Sequence, residues 1–223
     1  MKANGIDSCA GLIAYIQEIG ILPLLPTGIR GWSADAVVDD DCRYTVLPDG
    51  GWEWPLWKWK GEILRSGIAY GKFIGSKAGF VSLDLWPDFC NLRRSVYPEP
   101  EEGSIEEAII FQLNEAGSAI TRDLRRQCGF TGPKMRSRFD SYVTKLQMAC
   151  RIVTEDFVYP TDRHGKEYGW GWALLTTPET LFGKSQCRPS RTPEESYQRL
   201  LNHFHKILPH LDDETIKRIL GTH

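Results

Sequence analysis

Ser104-Ile-Glu-Glu107 opens, and Tyr168-Gly-Trp-Gly-Trp-Ala-Leu-Leu-Thr176 closes, the stretch of this 223-residue chain whose reading decides the fold. The opening tetrapeptide is a capping box, in which the serine hydroxyl and the glutamate carboxylate each satisfy a backbone N–H of the first turn. Ile105, Ala108, Ile109, Phe111 and Leu113 continue it as an apolar stripe near the helical period, and Gly117 ends it. Thr121 suits the cap of a short second helix, Arg122 to Cys128. Gly129 and Gly132 then break the chain, and Pro133 suits the first position of a third helix running to about Ala149. Arg151-Ile-Val-Thr-Glu-Asp-Phe-Val-Tyr159 and the closing nonapeptide read as the strands of a hairpin around Pro160-Thr-Asp-Arg-His-Gly-Lys166. Three helices followed by a hairpin predict an α+β winged helix-turn-helix domain over residues 104–182.

The third helix carries two distinct faces. Met135, Phe139, Tyr142, Leu146 and Ala149 share one side by their spacing, which predicts a buried face. Lys134, Arg138, Ser141 and Lys145 form a second stripe, with Arg136, Ser137, Asp140 and Thr144 on the remaining surface. Between Thr121 and Arg151 stand eight Lys or Arg against two acids, although the whole chain carries a formal charge of −2. Positive charge concentrated on a helix and a hairpin is the pattern that binds phosphates with release of counterions. The candidate DNA-contacting groups are Arg122, Arg125, Arg126, Lys134, Arg136, Ser137, Arg138, Ser141 and Lys145, with Arg163, His164 and Lys166 at the hairpin tip. Duplex DNA is the expected partner. The plainer reading of the same residues is a solvated basic surface on a small helical domain.

Composition narrows the class. An apolar fraction of 41% with 25% charged residues is that of an ordinary globular protein. No apolar run approaches a membrane span, and Asn4, Gly5 and Asp7 do not form a secretory leader, so a cytoplasmic location is expected. The six cysteines, at 9, 42, 90, 128, 150 and 187, contain no C-x-x-C pair and read as reduced, buried thiols. No cofactor is expected.

The N-terminal region, residues 1–97, begins with a helix from Ile6 to Ile19, capped by Asp7 or Ser8. Ile21-Leu-Pro-Leu-Leu-Pro26 then runs extended because Pro23 and Pro26 cannot donate. Thr27 to Asp41 reads as loop, and Asp39-Asp40-Asp41 as its solvated acidic run. Trp52-Glu-Trp-Pro-Leu-Trp-Lys-Trp-Lys60 concentrates four of the eight tryptophans and leads into a helix from Trp57 to Leu64. Core packing is the plainer role for these rings. Stacking of bases with Lys58 and Lys60 on phosphates is the functional alternative. Gly67–Ile74 and Gly79–Leu83 flank a Gly75-Ser-Lys-Ala turn as another hairpin, and Asp84–Leu92 reads as a short helix or turn. Helix, hairpin and short helix thus occur twice, which predicts a degenerate second winged helix in tandem with the first. Through Gly103 there are 10 basic and 14 acidic residues, so this copy is the poorer DNA binder.

Arg93, Arg94 and Tyr97-Pro-Glu-Pro-Glu-Glu102 mark a boundary, and Gly183 to Arg191 a second linker. Residues 192–221 form a helical extension: Thr192-Pro193 opens one helix to about Leu208, and Asp212 or Asp213 caps another ended by Gly221. Tyr197, Leu200, Leu201, Phe204 and Leu208 make an apolar face for the body of the protein or for a second copy, a homodimer. His203, His205 and His210 lie near one another in sequence, but positions two apart on a helix diverge, and no metal is expected.

The segments Gly51-Trp-Glu-Trp-Pro-Leu-Trp-Lys-Trp-Lys-Gly61, Tyr70-Gly-Lys-Phe73 and Phe80-Val-Ser-Leu-Asp-Leu-Trp-Pro-Asp-Phe89 resemble the short proteins related to the AlkZ/YcaQ-type DNA glycosylases. The resemblance covers about residues 10 to 180, with no counterpart for the C-terminal helices. It implies tandem winged helices around DNA. In the full-length glycosylases a Gln-x-Gln or Gln-x-Asp pair just after an early helix positions the water that removes an alkylated base. The corresponding place here is Gly20-Ile-Leu-Pro-Leu-Leu25, which has no group to orient water, so no catalytic residue is carried over. The resulting expectation is a winged-helix DNA-binding protein without the standard excision motif. The alternatives are a repair glycosylase using other groups, such as Glu53, Glu62 or Asp84 beside the tryptophans, and a protein-interaction scaffold.

Overall fold

A computed structural model describes residues 5–132 and 134–222. Pro133 and Asn4, both used in the sequence reading, lie outside the described residues. Helix α1 (Cys9–Ile19) starts at Ser8, whose hydroxyl accepts from the Gly11 N–H. Gly20 ends it at φ 78°, and a side chain there would run into Leu85 and His203. Strand β1 (Ile21–Pro23) follows. The expected loop of 27–41 contains a short helix α2 (Ala34–Val37), capped by Ser33, and a 3-10 turn at Asp40–Cys42. Two-residue strands β2 (Thr45–Val46) and β3 (Trp52–Glu53) pair before helix α3 (Pro55–Arg65). The hairpin β4 (Ala69–Ile74) and β5 (Lys77–Val81) comes next. Its connection is two residues, Gly75 and Ser76, both at positive φ (54° and 64°), which matches the twist of the flanking strands.

Helix α4 (Trp86–Val96) is longer than the sequence suggested, and it carries Arg93 and Arg94 inside its last turn. Neither residue is a linker group. Arg93 is fully buried, donating to the Phe73 and Ile219 carbonyls, and Arg94 pairs with Glu179 at 2.6 Å. Helix α5 (Ile105–Ala116) is capped by Ser104, but Glu107 accepts from the Gly103 N–H, one residue further back than a capping box places it. Ile109 and Leu113 are buried, whereas Phe111 is exposed. A strand absent from the sequence reading, β6 (Ser118–Ile120), precedes α6 (Thr121–Gln127). Thr121 does not cap α6; its hydroxyl donates to the Ala173 carbonyl. Then come α7 (Met135–Met148) and the hairpin strands β7 (Val153–Val158) and β8 (Trp172–Thr176).

Apart from the β2–β3 pair inserted in the first, the two halves repeat one order: helix, strand, helix, helix, and a hairpin whose second strand pairs with the early strand. The sheets run β1-β5-β4 and β6-β8-β7, antiparallel throughout. The fold is α+β, with ten helices among the described residues and small antiparallel sheets. Two hydrophobic clusters fill it. One lies under α5, α6, α7 and the second sheet; it includes Ile109, Leu124, Phe139 and Leu175. The other joins the first half to the C-terminal helices through residues such as Leu12, Phe80, Trp86 and Phe204.

After α8 (Pro178–Phe182), the segment read as a linker makes a 3-10 turn at Lys184–Cys187 with Cys187 buried. Helix α9 (Pro193–Ile207) opens on a complete capping box between Thr192 and Glu195, and α10 (Asp213–Leu220) starts at Asp212. The apolar face of α9 is used within the chain, where Leu200, Leu201 and Phe204 are buried. Buried Asp88 of α4 anchors this helix by accepting from Arg191 (2.8 Å), Ser196 (3.0 Å) and Arg199 (2.9 Å). The six cysteines are free thiols, five of them buried. No helix among the described residues is long and apolar enough to cross a membrane.

Candidate nucleic-acid interface

Helix α7 is divided along its length. Lys134 precedes it, and Arg136, Ser137, Arg138 and Ser141 in its first half are exposed. Its second half is covered by the first half of the chain: the Lys72 N–H donates to Gln147 Oε1 at 3.1 Å, and Lys72 Nζ to Thr144 Oγ1 at 3.0 Å. Gln147 is buried and donates onward to Thr154. The inner face is Phe139, Val143, Leu146 and Ala149; Met135, expected there, is 40% exposed, because α7 begins beyond the reach of its own core.

Beside the exposed half lies a cavity of about 320 Å³ lined by Thr121, Arg122, Arg125, Arg136, Asp140 and Trp172. The Arg122 guanidinium lies 4.6 Å from the Trp172 ring centre, which fixes its plane. Arg125 donates to the Phe130 carbonyl, and Arg136 is 3.8 Å from Asp140. Arg126 stands outside this cavity, 4.0 Å from Asp123. Three guanidiniums around one concavity suit an oxyanion, because the planar fork donates in pairs.

The remaining expected contacts are separated from this group. Lys145 pairs with Glu106 at 2.7 Å. Burial raises the Glu106 carboxyl, but the hydrogen bond from Lys145, the backbone N–H of Glu106 itself and the Lys145 charge together outweigh it and hold it below its ordinary value. Arg163 and His164 occupy the tip of the β7–β8 connection, where the Asp162 carboxylate accepts from the N–H groups of His164 and Lys166. Lys166 lines a second cavity with Trp52 and Trp57.

The tryptophan stretch packs against that connection. Trp170 stacks on Trp52 with centres 4.4 Å apart, and Trp57 Nε1 donates to the Trp170 carbonyl. The sequence reading missed Trp170 as a partner, although the Trp-Gly-Trp ahead of β8 was visible. Lys60, proposed as a phosphate ligand, is fully buried with its nitrogen 3.0 Å from the Trp57 ring centre and 3.7 Å from that of Phe157. Its side chain is enclosed by the core and so is not available to a phosphate. Burial pushes its ammonium down to about 6.

At the place of the glycosylase Gln pair, Ile21 and Leu22 are buried in β1, and His203 Nε2 lies 2.7 Å from the Ile19 carbonyl. Glu53, Glu62 and Asp84 are all exposed. His205 pairs instead with Asp213, so it diverges from His203.

The chain is thus α+β, with helix–hairpin halves and an exposed, basic first half of α7. A family model described as AlkZ related matches residues 6–221, and the chain belongs to that family. The match includes α9 and α10, so the C-terminal helices have a counterpart in the family, contrary to the sequence reading. No curated protein and no solved structure matches the chain.

Proposed function

We propose that both halves are winged helices and that the chain is a cytoplasmic, duplex-DNA-binding protein related to the AlkZ-type glycosylases but without their standard excision motif. The observation that carries this is the exposed first half of α7 beside the three-arginine cavity. A recognition helix in this class of fold presents its N-terminal residues to base edges in the major groove. Lys134, Arg136, Ser137, Arg138 and Ser141 occupy those positions, near base edges or phosphates, while the second half of α7 is held in place by Lys72. Arg122 and Arg125 contact phosphate, and Arg163 and His164 reach an adjacent groove or backbone. The repeated strand order supports two winged helices, and the aliphatic run at positions 20–25 supports the absence of the excision pair.

Fluorescence anisotropy with a plain labelled duplex at low and moderate salt tests this reading. Binding that weakens steeply with salt is expected. Absence of binding at low salt contradicts it and favours a protein-interaction scaffold.

A further inference from the structure

Across a cavity of about 490 Å³, Trp52, Trp57 and Lys58 of the first half face Tyr159, Lys166 and Tyr168 of the β7–β8 connection. Its size is that of a small-molecule site. The two tryptophans act as a fixed frame. Trp52 stacks on Trp170 (4.4 Å, 12°) and on Tyr44 (6.2 Å, 25°). Trp57 stacks on Trp54 (4.8 Å) and takes the Lys60 nitrogen on its ring at 3.0 Å. With their faces engaged, these rings are not a row of platforms for successive bases; they wall a cavity for one flat group. The hairpin supplies the adaptable rings. Tyr168 is 57% exposed, and Tyr159 packs one side against Gly171. At the rim Lys58 and Lys166 are exposed cations, and Glu167 supplies a hydrogen-bond acceptor.

A flat ring to stack, an anion for two ammonium groups and N–H groups for a carboxylate describe a nucleotide. The same connection carries Arg163 and His164 at its tip, which the DNA-binding reading places on an adjacent groove or backbone. We propose that this cavity receives one unpaired deoxynucleotide, with its base against Tyr168 and Tyr159 and its phosphate on Lys58 and Lys166. This rests on the DNA-binding reading above and names the kind of DNA that it favours.

The test uses the full chain and two duplexes of equal length, one fully paired and one with a single unpaired 2-aminopurine nucleotide. The expected result is tighter binding of the second by on the order of tenfold, with 2-aminopurine emission quenched on binding. Tyr168→Ala and Lys58→Ala, both at exposed positions that leave the core intact, are each expected to remove most of the preference while keeping affinity for the paired duplex. Salt-sensitive binding without preference overturns the cavity proposal and leaves the DNA reading standing. Equal losses on both duplexes in Tyr168→Ala overturn it too, making the hairpin a general backbone contact. Binding of neither duplex overturns both, and the aromatic surface is then a protein-docking face.

Discussion

Trp52 and Trp170, 118 residues apart in sequence, stack with ring centres 4.4 Å apart and planes within 12° of parallel. They join the β7–β8 connection to the first half, and so fix where the hairpin tip stands relative to α7. A double-mutant cycle of Trp52→Ala and Trp170→Ala, followed by urea unfolding, is expected to give a coupling energy of about 1 kcal/mol. A coupling indistinguishable from zero would mean that the stack does not hold the hairpin.

Lys60 has no hydrogen-bond partner among the described residues. Its native value, about 6, lies below the 10.5 of an ordinary lysine, so the unfolded chain binds the proton more strongly over that window. Stability from this group therefore rises with pH between about 6 and 10.5, with a slope of up to ~1.4 kcal/mol per pH unit. Lys60→Met removes that dependence and is expected to be the more stable protein at neutral pH. Parallel urea midpoints for the two proteins across this range contradict the account.

Asp88 holds α9 through Arg191, Ser196 and Arg199. Asp88→Asn keeps the size but loses the charge that two arginines require. The expected cost is roughly 2–3 kcal/mol, with the C-terminal helices becoming accessible to limited proteolysis before the rest. Uniform protease resistance would show that apolar burial alone docks them.

Local chemistry was legible in the sequence wherever it was self-contained. The start of α1 at the Asp7–Ser8 pair, the opening of α9 at Thr192-Pro193 and both hairpins are found where short-range signals put them. What escaped was set by distant partners. Ser118–Ile120 has no strand pattern of its own and becomes β6 only because β8 pairs with it. Arg93 looks like a surface group until Phe73 and Ile219 offer their carbonyls. The candidate site divides in the same way. The basic character of α7 was readable, but not that Lys145 is tied to Glu106 or that Lys60 is buried. Glu106 lies 39 residues from the first, and the rings around the second come from two halves of the chain.

The division of α7 leads to a sharper expectation than total charge does. Lys145→Glu breaks an exposed ion pair with Glu106 in the second half of α7, so it should weaken duplex binding only slightly. Arg138→Glu, on the open side, should weaken it strongly. Anisotropy titrations of the two single variants compare them directly, and equal losses would mean that the helix is not read from its first half.

The most direct test of the central claim is a salt titration of duplex binding by the wild type and by Arg136→Glu/Arg138→Glu, with circular dichroism to show that the variant is folded. DNA binding through the first half of α7 predicts an affinity loss of well over tenfold and a salt slope shallower by about 2, roughly one for each phosphate-proximal charge removed. A folded double variant with unchanged affinity and slope would contradict it.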